Sequence, residues 1–335
     1  MRLPLVVLIL LSAAASAQSG PSPAALESCA RIEDPAARLR CFDRTSGRDN
    51  NAESPLLPQD GSDGPASMID RRWSLGSAAR DRRFDFRPHR SSYFLFGRYS
   101  DAPNLLPTSP TKPALAAPLD IRAMEAKFQV SFKVKLADID DTVPGFPELA
   151  VWAGYTQQSQ WQIYNPRESR PFRETNYEPE LMVAAPRNVD VFGWRWRLLV
   201  LGINHQSNGR AEPLSRSWNR VYAQFGFEQG NFAVLLRPWI RISEERSKDD
   251  NPDITQFMGH GDATVTYAYG GHTFSAGGRY RPSSGKGAIQ LNWHFPLQRG
   301  VRGYVQAFTG YGESLIDYNA KQSTIGVGIS LADVL

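Results

Sequence analysis

Residues Lys127 to Leu136 read KFQVSFKVKL. Phe128, Val130, Phe132, Val134 and Leu136 alternate with Lys127, Gln129, Ser131, Lys133 and Lys135. A strict period of two predicts a β-strand with one apolar and one strongly polar face. The same alternation recurs at Ile289, Leu291, Trp293 and Phe295 against Gln290, Asn292 and His294, and again at Ile325, Val327, Ile329 and Leu331 against Thr324, Gly326, Gly328 and Ser330. One apolar face and one polar face fit an antiparallel sheet with lipid on one side and a polar lumen on the other.

Extended outward, the pattern predicts strands near 92–100, 125–138, 147–164, 174–187, 191–206, 215–229, 231–245, 260–270, 271–282, 285–296, 300–312 and 322–333. About twelve strands, an even number, lies within the range of outer-membrane barrels. Short turns near 229–230, 270–271 and 298–300 alternate with longer loops around 101–124, 164–174, 207–215, 245–259 and 313–321. Two connections break the rule: 137–148 is long for the short-turn side, and 282–285 is short for the long-loop side. A soluble barrel could show the same alternation with its apolar face inward. An export signal, a strand count large enough to leave a polar interior, and Trp152, Trp161, Tyr164, Trp194 and Trp196 near strand ends favour the membrane version. The fold class expected is therefore all-β, an antiparallel transmembrane β-barrel of about 12 strands.

Of the 335 residues, Lys and Arg total 38 against 34 Asp and Glu, a formal charge of +4. Residues 1–17 have the form of a signal peptide: Arg2, an apolar run from Leu3 to Leu11, then Ala15-Ser16-Ala17. That run is too short to stay as an anchor, and no later apolar run reaches the roughly 18 residues a membrane helix needs. Residues 18–90 read as a periplasmic extension, and 91–335 as the barrel domain. The two cysteines of an exported chain, Cys29 and Cys41, favour a local disulfide. From Thr45 to about Pro88 the composition is that of a polar, increasingly basic linker that buries no core.

Chemistry concentrates in INHQSNGRAEPLSRSWNR, Ile203 to Arg220. His205 and Ser207 are two apart, so on a strand they share a face, with Cβ atoms within about 7 Å. Asn219 falls on the returning strand, where it can sit beside His205. Nucleophile, base and orienting group are the side-chain types of a serine hydrolase. Taken alone, an H-x-S is more often a polar hairpin with one satisfied histidine. Counting from a periplasmic N-terminus, this strand runs outward, and His205 and Ser207 share a side with Leu199, Leu201 and Ile203. A hydrolytic pair on a lipid-facing wall near the outer leaflet points to a lipid ester.

The words YTQQSQWQ (155–162), SRPFRETNYEPEL (169–181), INHQSNGR (203–210), SRSWNR (215–220), DDNPDIT (249–255) and GYGESLIDYN (310–319) run in order along the barrel. In them the chain resembles the outer-membrane phospholipase A family, calcium-dependent and dimer-activated lipases of Gram-negative outer membranes. The resemblance implies Ser207 as nucleophile, His205 as general base and Asn219 as the group that holds the imidazole. A neutral amide avoids placing an unpaired carboxylate against hydrocarbon, which costs several kcal/mol or more. It also implies calcium held by Ser215 and the carbonyl of Arg210, with Ser169 coming from the partner subunit of a homodimer. The Gly209 amide becomes an oxyanion donor, Gln157 a dimer-interface residue, and Glu212 with Asp250 a second, weaker calcium site.

Gln206, turned away from the pair, should tolerate change. His294 and His272 are expected in the lumen, and no Cys/His set has zinc spacing. The activity implied is that of a phospholipase A1/A2 acting on sn-1 and sn-2 esters and on lysophospholipids in the outer membrane, with no nucleic-acid partner. The alternative is a non-catalytic barrel, a porin or adhesin.

Overall fold

Burial along KFQVSFKVKL runs opposite to that of a water-soluble protein. Lys127, Lys133 and Lys135 are 1%, 0% and 3% exposed, whereas Val130 is 49% exposed. Apolar residues outward and ionic residues inward are what a bilayer selects. The computed structural model describes residues 23–32, 34, 37–38, 41–42, 45, 67–75, 84 and 86–331 except 299. The signal sequence expected over 1–17 lies outside the described residues. No described helix is long and apolar enough to cross a membrane.

Two units divide the chain, Met1–Gln59 and Asp60–Leu335. In the first, Cys29 of helix α1 (Pro23–Ala30) is disulfide-bonded to Cys41, with Cα atoms 5.4 Å apart. The second is the barrel. Its strands are β1 (Phe86–Pro88), β2 (Tyr93–Ser100), β3 (Met124–Val143), β4 (Phe146–Trp161), β5 (Glu174–Val191), β6 (Trp194–Ser207) and β7 (Ser217–Gln229). They continue with β8 (Phe232–Ile242), β9 (Gly261–Tyr269), β10 (His272–Arg281), β11 (Lys286–Gln298), β12 (Val301–Tyr311) and β13 (Lys321–Ser330). From β2 onward each strand pairs with its sequence neighbours, and β13 returns antiparallel to β2, closing a twelve-stranded barrel. β1 pairs with β3 just beyond β2, as an interrupted continuation of the first barrel strand.

At one end the strands reverse in two residues, at Pro144-Gly145, Phe192-Gly193, Gly230-Asn231 and Gly270-Gly271. At the other end the links are 101–123, 162–173, 208–216, 243–260, 282–285 and 312–320. The expected long connection over 137–148 is not a loop. β3 and β4 run on through it as a ladder, with register shifts between Lys135 and Ala137 and between Asp140 and Val143. Those bulges blur the alternation, which is why the sequence reads as irregular there. His272 also departs from expectation. It lies outside the lumen, stacked on Phe274 and Trp293 in an outward aromatic belt, whereas His294 is fully buried and hydrogen-bonded to Ser330.

The lumen is packed. Helix α2 (Met68–Trp73), within the stretch read as linker, is part of the barrel unit, and Ile69 and Trp73 join an interior cluster with Trp152, Leu198 and Val200. The Glu228 carboxylate of β7 accepts from the amide of Ile69 at 2.7 Å and from the Ser67 hydroxyl. Capping amides at a helix start with a carboxylate is favourable. The Lys133 ammonium lies 3.3 Å from the Trp73 ring centroid, a cation–π contact inside the barrel. The barrel unit thus begins earlier than the boundary at 91 drawn from strand periodicity.

Candidate active site at the long-loop end of β6 and β7

β6 and β7 pair so that His205 faces Asn219, Ser207 faces Ser217, and Ile203 faces Val221. On β6, Leu198, Val200, Gly202 and Asn204 are buried in the lumen, while Leu201 and Ile203 are 56% and 53% exposed. His205 and Ser207 therefore continue the outward apolar face, at its loop end. His205 Nδ1 lies 2.8 Å from Asn219 Oδ1. No hydrogen bond joins Ser207 Oγ to the imidazole among the described residues; the two side chains share a strand face.

The orientation of the Asn219 amide follows from its second partner. Its Nδ2 donates to Glu244 Oε1 at 2.9 Å. A carboxylate oxygen only accepts, so the amide must turn its nitrogen to Glu244 and its oxygen to His205. That oxygen in turn requires a proton on Nδ1, leaving the lone pair on Nε2. Glu244 lies in the 243–260 loop, where no periodicity marks it in the sequence.

From inside, the same two strands are locked by charge. Asn204 and Arg220, opposite each other in the ladder, hydrogen-bond to one another and both reach Glu178 Oε1, at 2.9 Å each. Arg90 forks onto Glu178 with two contacts of 2.8 Å. Such bidentate pairs are geometrically restrictive. Gln206 also points inward, but it accepts the indole N–H of fully buried Trp218 at 2.8 Å, so it is less free to vary than its sequence position implied.

The 208–216 loop is shaped by Asn208, 3% exposed. Its side-chain oxygen accepts from the amide of Arg216 at 2.9 Å, and its nitrogen donates to the Leu214 carbonyl at 2.8 Å. This clamp presents Gly209, Arg210 and Ser215. Gly209 has φ +62°, and a Cβ there would press on the Tyr177 ring at 3.2 Å. Glycine answers both constraints. Ser215 Oγ donates to Asp250 Oδ2 at 2.6 Å. Lys112 Nζ lies 2.7 Å from both Asp250 Oδ1 and Glu212 Oε1. The two acidic residues expected together are thus brought together around a lysine that the sequence reading did not single out. Burial pushes Asp250 up, but hydrogen bonds from Lys112 and Ser215 outweigh it and hold the carboxyl below its usual range. The hydrogen bonds that Lys112 donates, to Asp250 first and then to Glu212, hold its ammonium above its usual range.

Ser169 sits on the 162–173 loop, its carbonyl accepting from the Trp161 indole at 2.8 Å, and no hydrogen bond ties it to Ser215 of the same chain among the described residues. Gln157 lies on β4 opposite Tyr177, which is itself opposite Ser207. Its amide oxygen accepts from the Tyr155 hydroxyl at 3.1 Å. No group of three or more His, Cys, Asp or Glu side chains able to hold a metal occurs among the described residues. The donors near the clamp are the Ser215 hydroxyl, the Arg210 carbonyl and the carboxylates of Asp250 and Glu212. All are oxygen, which suits a hard ion such as calcium with water completing the shell.

The sequence pattern of the phospholipase A1 family matches residues 69–331. The chain is 43% identical over 255 residues to a putative phospholipase A1 of Neisseria meningitidis, covering 74% of this chain and 65% of that protein, just under two thirds of its length. It is 39% identical over 255 residues to phospholipase A1 of Escherichia coli, covering 76% and 84%. The barrel is similar to the Salmonella typhi outer membrane phospholipase dimer with bound calcium, with a TM-score of 0.68, 38% identity, and coverage of 75% and 94%. Against E. coli outer membrane phospholipase A the TM-score is 0.66 at 38% identity, covering 75% of this chain and 100% of that one. These likenesses set aside the porin or adhesin alternative. The chain belongs to the phospholipase A1 family, the outer-membrane β-barrel phospholipases.

Proposed function

We propose that Ser207, His205 and Asn219 hydrolyse the sn-1 and sn-2 acyl esters of phospholipids, and lysophospholipids, drawn from the outer leaflet. The observation that carries this reading is the His205–Asn219 hydrogen bond of 2.8 Å on an outward, apolar strand face. In it, His205 Nε2 takes the proton of Ser207 as the hydroxyl oxygen attacks the ester carbonyl. The Gly209 amide donates to the oxyanion, and its positive φ suits a backbone turned for that task. His205 then returns the proton to the departing alcohol oxygen, and water releases the fatty acid from Ser207 in the second half. Asn219 holds the imidazole in the tautomer both halves need. Leu201, Ile203, Val221 and Ile240 offer an apolar wall beside which acyl chains can lie.

Calcium fits the oxygen donors of Ser215 and the Arg210 carbonyl, and when bound it would supply positive charge beside the oxyanion. In this reading Ser169 of the partner subunit completes one site per monomer, and Gln157 belongs to the homodimer interface. The likeness to the Salmonella typhi structure, a dimer with bound calcium, supports calcium and a dimer. Glu212 and Asp250 form a second calcium site only if Lys112 withdraws from between them.

The test is fatty acid release from phospholipid micelles by the refolded full chain, with calcium or with EDTA. Ser207→Ala should lose at least about a thousandfold in kcat, the scale of losing a nucleophile. Ser169→Ala should shift the calcium response to higher concentration without unfolding the barrel. Wild-type rates in Ser207→Ala would reject the assignment of the nucleophile.

A further inference from the structure

The proposed triad ends on a neutral amide, and the amide does not end the chain of contacts. Asn219 pairs in the ladder with Ile242, and Glu244 lies two residues further on, at the rim of the same outward face. The 2.9 Å hydrogen bond from Asn219 Nδ2 is the polar contact of the Glu244 side chain among the described residues, with no ion pair competing for it. Its loop neighbours are otherwise engaged: Glu245 pairs with Lys248, and Asp249 with Arg241.

We propose that Glu244 is a positioning residue for the hydrolytic site, a fourth member that acts through Asn219 and rests on the triad reading above. Two consequences follow from its being acceptor-only. It fixes which end of the Asn219 amide meets His205, and so the imidazole tautomer. It also places a negative charge one amide away from the imidazolium that forms when Ser207 is deprotonated, at the rim rather than against hydrocarbon. A neutral third member thereby gains part of the stabilisation that a carboxylate in its place would give. The same geometry explains why residue 219 is not aspartate. An aspartate there would set two carboxylates in contact, and like charges that close do not both stay ionised without cost.

The experiment uses the full chain in micelles, with calcium present and folding verified by heat-modifiable migration. Glu244→Ala should lower kcat about three- to tenfold, the scale of one hydrogen bond, with KM unchanged. Glu244→Lys, which offers only donors and so invites the amide to turn over, should lower it further. In the Asn219→Asp background the sign should reverse: Glu244→Ala should raise kcat by relieving the repulsion. Unchanged kcat in Glu244→Ala overturns the proposal, as does an equal loss in both backgrounds, which is what a loop with a merely structural role would give. Ser207→Ala is run alongside; its activity would fell the triad reading itself, an outcome separate from failure of Glu244 alone.

Discussion

Lys112 places one ammonium between Glu212 and Asp250, each oxygen 2.7 Å away. Asp250 is held below the usual carboxylate range, so its contribution to stability is present above that range and lost as pH falls through the lowered value. Lys112 is held above the usual lysine range, so its contribution is present below that range and lost as pH rises through the raised value. The cluster is therefore intact across neutral pH. Lys112→Ala should leave two carboxylates facing each other without a counter-ion, and a divalent cation should then substitute. We expect the unfolding temperature of Lys112→Ala to rise with calcium more steeply than that of the wild type, measured by thermal scans over a calcium titration. Equal slopes would reject the exchange. At this scale the sequence was partly legible. The two-residue spacing of His205 and Ser207 and the return of the strand at Asn219 brought those three to one face. Glu244, Asn208 and Lys112 escaped because loop residues carry no period, and their roles are set by where distant loops meet.

Helix α2 is six residues of a segment whose composition reads as linker, too short for any helical periodicity to register. What fixes it is tertiary: the Glu228 cap at its first turn, the Trp73–Trp152 edge contact at 6.1 Å, and Lys133 beneath the Trp73 ring. Trp73→Ala should destabilise the barrel by about 3–5 kcal/mol, the usual cost of emptying a buried tryptophan site. Part of that loss should come from Lys133, whose ammonium has no hydrogen-bond partner among the described residues and would lose the nearer of its two aromatic contacts, keeping only the Trp152 ring at 5.3 Å. Urea unfolding of the refolded protein measures it; a shift below about 1 kcal/mol would mean that α2 is not bound in the lumen as described. The strands, by contrast, were legible almost throughout, because a bilayer outside and charge inside make the period of two unusually clean. Where β3 and β4 bulge, the same signal failed.

At the scale of the whole molecule, the barrel inverts the usual arrangement, and the ladder between β13 and β2 is the seam that closes it. Gly328 sits at the register shift of that seam, against the carbonyl of Phe94, where a side chain would collide with backbone. The even strand number and the alternation of short turns with long loops were readable from turn residues and spacing. The filling of the lumen was not, since buried ion networks and ordinary polar strand faces look alike in sequence. Inside the wall, Arg90, Arg220, Glu178 and Glu180 form one connected cluster, α2 packs among the aromatic side chains, and a polar cavity of about 300 Å³ remains.

That filling has an electrical consequence. A wall of twelve strands is wide enough to enclose water, but ions would have to displace paired guanidinium and carboxylate groups and a docked helix to pass. The protein inserted into a planar lipid bilayer should therefore be an insulator, giving no sustained current steps under an applied voltage. Steady single-channel openings in the wild type would mean that the interior is looser than this packing describes.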